Sequence, residues 1–485
     1  MKRIALLICV VLLVGPGLWA QTAAPSTGTD QTSAAAGAAA GSDTGGGTAG
    51  SGTAASGSGE DEFFGSGEVE AKQGAAEKKN AAEAVEAQRL GLSGQLQALS
   101  AYTMTRNFVQ GATGFSDNTF GNTIMGDFLV DARLTKGFRM FMDLNLNYIP
   151  TGVPVPISFT QPSGAAFPVI QTMNTLLDIK EVFVDFNFAN TVYFRAGKQV
   201  LQWGTGYFWN PTDLINVSHK SFTNLNALLD GVFGLRSDFV FSPAWHLYTF
   251  INLNGVEDLT NVAYAARTEF LLGKIEFGFA GWYQYSKIPV FGVDITTPLF
   301  WELNMTGEAS LSYGDNQQKF DPVALSAYSV SNQFVPKVDV GISRTFDVLN
   351  VQDRLTVMAE FFWNSDGYDT NMFQTLSSLN LGLFESGYYH ASYYGQYYGA
   401  LFVSINDFGL TNMTLSLNGL CNFSDMTAIA LVGLSDSPVS NFTLQLQVGS
   451  YLGPSNGEYT AAYNPTTGSL TSNMFLIILS AQVNF

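Results

Sequence analysis

Alternation organises this chain. In residues 180–203, KEVFVDFNFANTVYFRAGKQVLQW, Val182, Val184, Phe186 and Phe188 fall on one face and Glu181, Asp185 and Asn187 on the other. A period of two puts successive side chains on opposite faces of a strand, so the stretch predicts a hairpin whose faces meet different surroundings. Its turn falls at Ala189-Asn190-Thr191. An apolar face alone would equally suit the inside of a soluble sandwich. Repetition of such arms over nearly 400 residues, up to a terminal Phe485, favours lipid instead.

The same period predicts strands over 92–104, 125–134 and 138–148, the last two joined at Lys136-Gly137. Asp127, Asp131 and Arg133 continue onto the face of Arg139, Asp143, Asn145 and Asn147, while Phe128, Val130, Met140, Met142 and Leu144 point the other way. A loop rich in Pro and Gly is expected over 150–174 and a second long connection over 204–230. Further arms are expected over 232–241, 246–254, 263–272, 274–285, 291–299, 301–312, 335–348 and 354–363, with five more between 399 and 485. The arm containing Pro298 has the weakest pattern. The sum is eighteen strands with short turns at one end and longer loops at the other, an all-β, antiparallel, up-and-down transmembrane barrel. One hairpin fewer would give sixteen. Hydrocarbon offers no water to an open sheet edge, so the wall must close on itself.

Parity then assigns the lumen. Glu181, Asp185, Arg236, Asp238, Arg267, Glu269, Glu302, Glu308, Lys337, Asp339, Arg354 and Glu360 join the first group inside. The last five arms supply mainly Ser404, Asn406, Ser416, Asn418, Gln445 and Gln447, so an ionic wall faces an amide and hydroxyl arc. Acid and base alternate closely, which suits cross-strand pairs that hold the wall in shape or a transverse field that orients dipolar solutes. The excess of carboxylates favours cations modestly, without the one-signed ring of a strong filter. Arg195 and Lys198 differ in parity, and a bulge near Gly197 would bring both to the lumen. Gly204 and Gly206 permit a tight departure into a loop carrying Trp209, Asp213, His219 and Lys220. That loop is the candidate constriction, shaped by Arg195, Lys198 and Asp213; a loop directed outward is the alternative.

The segment RAGKQVLQWGTGYFWNPTDLIN resembles a pattern in bacterial outer-membrane barrel proteins of porin-like assignment. The matching residues are Gly197-Lys198-Gln199, Trp203-Gly204 and Asn210-Pro211-Thr212-Asp213; stretches within 127–137 and 360–368 are similar to spirochaete-type barrels in particular. The resemblance implies transport or a surface role and names no solute.

Composition agrees with immersion in a bilayer: 46% of residues are hydrophobic and only 13% charged, about half the usual charged share of a soluble protein. Residues 1–20, with Lys2, Arg3 and an apolar run from Ile4 to Val14, predict a signal peptide. Its removal takes the formal net charge from −18 to −20, which argues against nucleic acid, and leaves Cys421 as the lone cysteine. Residues 21–59, almost wholly Ala, Gly, Ser and Thr, predict a periplasmic tether. An acidic, Ala-rich helical segment is expected over 60–91, with the barrel over 92–485. The tyrosines and phenylalanines of 381–398 suit an interfacial belt and loop packing, or an aromatic slide for sugars.

Catalytic chemistry is not expected. His219, His246 and His390 lack metal-ligand spacing, and no serine, histidine and acid grouping or phosphate cradle is present, so no metal or cofactor is expected. The reading is an outer-membrane porin for passive diffusion of small hydrophilic solutes. The alternative is a structural or adhesive surface protein. Expected partners are outer-membrane lipid, the barrel-assembly machinery, other copies in a trimer, and a periplasmic contact of the N-terminal segment.

Overall fold

A computed structural model describes residues 90–107, 119–135, 137–160, 166–188, 191–215, 220, 222, 229–376, 380–381, 384, 387–410, 412–464 and 469–485. The signal, the tether, residues 60–89 and His219 lie outside them. In chain order the wall begins with β1 Leu90–Asn107, β2 Thr119–Thr135, β3 Phe138–Thr160, β4 Ala166–Phe188, β5 Val192–Gln199 and β6 Val232–Ser242. It continues with β7 Trp245–Asn252, β8 Ala263–Leu272, β9 Ile275–Gln284, β10 Val290–Pro298, β11 Asn304–Tyr313 and β12 Phe334–Val348. It ends with β13 Val351–Asn364, β14 Tyr397–Ile405, β15 Met413–Asn422, β16 Thr427–Val439, β17 Phe442–Leu452 and β18 Ser469–Asn484. Each pairs antiparallel with its neighbour, and β1 pairs with β18 from Gln95↔Asn484 to Asn107↔Thr471, so the eighteen strands close. Phe485 finishes the seam: its N–H and C=O both bond Gly94 at 2.9 Å, and its ring packs 6.1 Å from that of Phe128.

Parity separates the faces as the sequence requires. Outside, Phe186, Phe188, Phe233, Phe241, Leu272 and Phe279 stand exposed, while Asp143, Asp185, Asp238 and Asp339 are buried on the inner face. Among the described residues no helix is long and apolar enough to cross a membrane.

Three departures from the sequence reading have local causes. The barrel starts at Leu90, inside the stretch expected to be helical. The 150–174 region is mostly a two-stranded extension of β3 and β4, paired from Val153↔Met173 to Thr160↔Ala166. Pro154 and Pro156 share parity with Ser158, the partner of Pro168, so all three prolines fall on one of the two alternating sets of pair positions. The register across Gly197 is unbroken on both sides; the shift lies across the hairpin, where Asp143↔Glu181 is followed by Leu144↔Ile179 and Lys180 is left over. Lys198 therefore keeps the outward parity of its partner Val182, and its ammonium reaches the Ile179 carbonyl at 2.5 Å.

Candidate functional site: an infolded loop seated on buried carboxylates

The connection between β5 and β6 turns into the lumen, and two glutamates of the opposite wall hold it. Glu308 on β11 accepts hydrogen bonds from the N–H groups of Thr205, Gly206 (2.5 Å) and Thr212 (3.3 Å) and from the Thr212 hydroxyl (2.7 Å). Glu360 on β13 accepts from the N–H groups of Tyr207 and Phe208, the latter at 2.8 Å. Four consecutive amides thus converge on carboxylates, the concave arrangement of backbone dipoles that holds anions. Asp339 on β12 lies between them, fully buried under Gly206, with neither oxygen hydrogen-bonded among the described residues.

Glycine is obligatory here for two reasons. Gly204 has φ 103, and a Cβ there would stand 2.6 Å from a Glu308 oxygen; a Cβ on Gly206 would stand 1.9 Å from the Trp209 carbonyl. Past this bend, Trp209 is wholly buried, stacks on Phe362 at 5.6 Å and donates its indole N–H to the Ser392 carbonyl at 2.9 Å.

The seat explains an unexpected feature of the neutral arc. Inward positions of β14–β18 are polar toward the short turns; farther along they include Phe402, Leu420, Ile429, Leu431, Leu476 and Ile478, all buried with Phe208, Trp209 and Phe222 of the loop. A second apolar contact places Leu201, Trp203 and Ile215 with Phe250, Ala265 and Ala280 of β7–β9. Beneath the loop a cavity of about 290 Å³ is lined by Gln202, Tyr207, Lys220, Thr306, Ser343 and Glu360, among others. Lys220 donates to the Tyr207 carbonyl, and burial pushes its amine down against the pull of Glu360, Glu308 and Asp213.

The ionic wall forms a ladder. Arg139 contacts Asp131 at 2.8 Å and Asp185 at 3.9 Å. Arg195 holds Asp185 through two bonds, 2.7 and 3.1 Å, and lies 3.7 Å over the Phe183 ring. Arg236 pairs with Asp238 at 2.8 Å, and Arg267 with Glu269 at 2.6 Å and Asp294 at 2.8 Å. Such pairs are weak sources of net stability, but removal of one partner leaves a buried charge uncompensated.

Other residues marked by the sequence lie apart from the ladder. Arg133 is half-exposed at the turn end, 3.5 Å from Asp131. Asp127 accepts from Gln95 and Asn145, and Glu181 from the Val200 N–H at 2.6 Å. Asp213 closes a turn onto the Asn210 carbonyl at 3.0 Å within the infolded loop. Glu302, expected inside β11, sits instead in the exposed turn Phe300–Glu302 with φ 58, 3.7 Å from Arg344. Asp294 and the receptor role of Glu360 were not foreseen; parity had marked Glu360 as inward, but the donors it meets come from 152 residues away.

The aromatic stretch near 381–398 packs rather than forming a belt. Phe384, Tyr394, Met372, Phe373 and Leu381 bury one another with Phe320. Glu458 fastens this layer, accepting from the Ser392 N–H (2.7 Å), the hydroxyls of Tyr389 (3.3 Å) and Tyr398 (3.0 Å), and the Asn422 amide (2.9 Å). Burial, with Asp425 beside it, pushes the Glu458 carboxyl up from 4.5 to about 8. A folded-state value raised above the unfolded one means the folded form binds more protons between them, so the clasp is firmest below pH 4.5 and weakens as pH rises to about 8. Hydrogen-exchange protection at Ser392, corrected for the intrinsic pH dependence of exchange, should fall over that window, and Glu458→Gln should flatten the fall; a wild-type protection that does not change with pH would contradict it.

No protein-family model matches the sequence, and no curated protein matches it. Among solved structures the chain is similar to Pseudomonas aeruginosa OccK9 (OpdG), with TM-score 0.49 and 10% identity over 81% of this chain and 98% of that one. It is also similar to Acinetobacter baumannii OccAB1, with TM-score 0.45 and 12% identity over 81% and 97%. A third similar structure is Pseudomonas aeruginosa OccK2 (OpdF) in complex with glucuronate, with TM-score 0.46 and 12% identity over 81% and 98%.

Proposed function

We propose that the protein is a porin-like channel of the bacterial outer membrane through which small hydrophilic solutes diffuse passively. One observation supports this above others: a closed eighteen-stranded wall carries an ionic ladder inside, and a loop folds into the lumen instead of leaving it. A sealed structural plug would have little use for a charged lumen, whereas a passage needs both a hydrated wall and a place where its section narrows. In this reading the described part of the 204–230 loop forms the constriction, with Asp213 and Lys220 on it and Arg195 on the ladder.

The N-terminal segment is periplasmic in this reading, because Leu90 opens β1 at the end of the short turns. Lipid surrounds the exterior, and the barrel-assembly machinery inserts the chain. Trimer formation and the spirochaete-type likeness of the stretches within 127–137 and 360–368 belong to the same proposal.

Purified protein reconstituted in planar bilayers should give discrete steps of ionic current. A folded, heat-modifiable barrel that inserts and passes none would remove the open channel.

A further inference from the structure

We propose that the inner face of β2–β4 binds the ammonium group of permeating solutes, with Asp143 as the principal acceptor, so that cationic and zwitterionic amines are favoured over anions. The inference rests on the channel reading and names its substrate class.

Asp127, Asp143 and Glu181 occupy adjacent strands at neighbouring levels: Asp127 is opposite Asn145, and Asp143 is opposite Glu181. Two of the three are engaged. Asp127 accepts amide donors from Gln95 and Asn145, each at 2.5 Å, and Glu181 takes the Val200 N–H. Asp143 is only 2% exposed, and its Oδ1 receives no donor among the described residues. A shielded carboxylate oxygen without a donor is costly, and a primary ammonium supplies three donors and a compensating charge together.

The guanidiniums of the adjoining ladder are committed elsewhere, Arg139 to Asp131 and Arg195 to Asp185. The rim of the patch already shows how it receives an amine. Lys180, set free by the bulge in β4, places its ammonium 2.9 Å from Asp178 and 2.6 Å from Asp230, and Lys198 comes within 3.8 Å of Asp178. Asp178 keeps 44% of its side chain exposed, so the rim is not closed over. No group of His, Cys, Asp and Glu among the described residues is arranged to hold a metal ion. The patch therefore suits a cation that binds through hydrogen bonds rather than one that needs a closed coordination shell.

The test is block of single-channel current by free lysine, with free glutamate as the control, on the full-length protein in planar bilayers. Wild type should be blocked far more strongly by lysine than by glutamate, whose second carboxylate the acidic patch repels. Asp143→Asn should weaken lysine block about ten- to hundredfold, the range for loss of one hydrogen bond to a charged group. Asp143→Glu, which keeps the charge, should restore most of it, a rescue that a purely structural role does not predict. An Asp143→Asn channel that conducts and is blocked as tightly as wild type overturns the site, as does a wild type that prefers glutamate. If Asp143→Asn does not assemble, the wild-type contrast decides, and equal sensitivity to both amino acids counts against the site. Absence of any current removes the channel and the site with it.

Discussion

Replacing Glu308 with alanine is expected to release the 204–212 segment from the barrel wall while the wall itself persists. The substitution strips the acceptor from three backbone amides and one hydroxyl, three of them buried. Each buried donor left unmatched costs about 1–3 kcal/mol, and even with partial rescue by water the seat should lose on the order of 4 kcal/mol. Glu360 would still hold Tyr207 and Phe208, so the loop should hinge rather than leave, and Glu308→Ala with Glu360→Ala should free it entirely. Glu308→Gln is the informative intermediate, because its carboxamide keeps one acceptor oxygen and turns the other position into a donor facing donors. Hydrogen exchange at Thr205 to Phe208 reads the seat directly, and open-channel noise reads its consequence for the passage. Protection unchanged in the double variant would show that the aromatic contacts alone fix the loop.

The distribution of what the sequence revealed follows from this dependence on distant partners. A period of two is a local signal, so the inward parity of Asp127, Asp185, Arg236 and Glu308 could be read directly from neighbouring residues. It also carried the eleventh strand too far: Glu302 shares parity with Asn304, and only the left-handed backbone at Trp301 and Glu302 excludes it from the ladder. Prolines in 150–168 read as a loop because nothing local tells a free two-stranded ribbon from irregular chain. The apolar tier of β14–β18 has the same origin. Phe402 and Leu420 have the parity of Ser404 and Asn418, yet why they are apolar is explained by Phe208 and Trp209, some two hundred residues earlier. Gly204 and Gly206 were visible as a tight departure, but the carboxylates that a side chain would strike lie about a hundred residues further on.

The indole of Trp209 links the infolded loop to the long loops around Ser392, and Trp209→Ala should therefore loosen two regions at once. The side chain is wholly buried among Phe362, Tyr398 and Phe208, with ring centroids at 5.6, 5.8 and 4.9 Å. Truncation of such a residue costs about 3–5 kcal/mol, from lost transfer energy and the cavity left behind. On the lumen side this weakens the strongest apolar contact of the infolded loop. On the other side it removes the donor to the Ser392 carbonyl, the residue whose own N–H is held by Glu458, and it withdraws packing from Tyr398, whose hydroxyl bonds the same carboxylate. Faster hydrogen exchange should appear both at Phe208 and at Ser392, and the long loops should become open to proteolysis. Trp209→Phe separates the two contributions: it keeps a ring on Phe362 and loses only the indole hydrogen bond, so Ser392 should respond with a loss of about 1 kcal/mol while Phe208 stays protected. A response of Trp209→Ala confined to the 204–212 segment would mean that the two loops are held independently, and that the clasp at Glu458 needs nothing from the lumen.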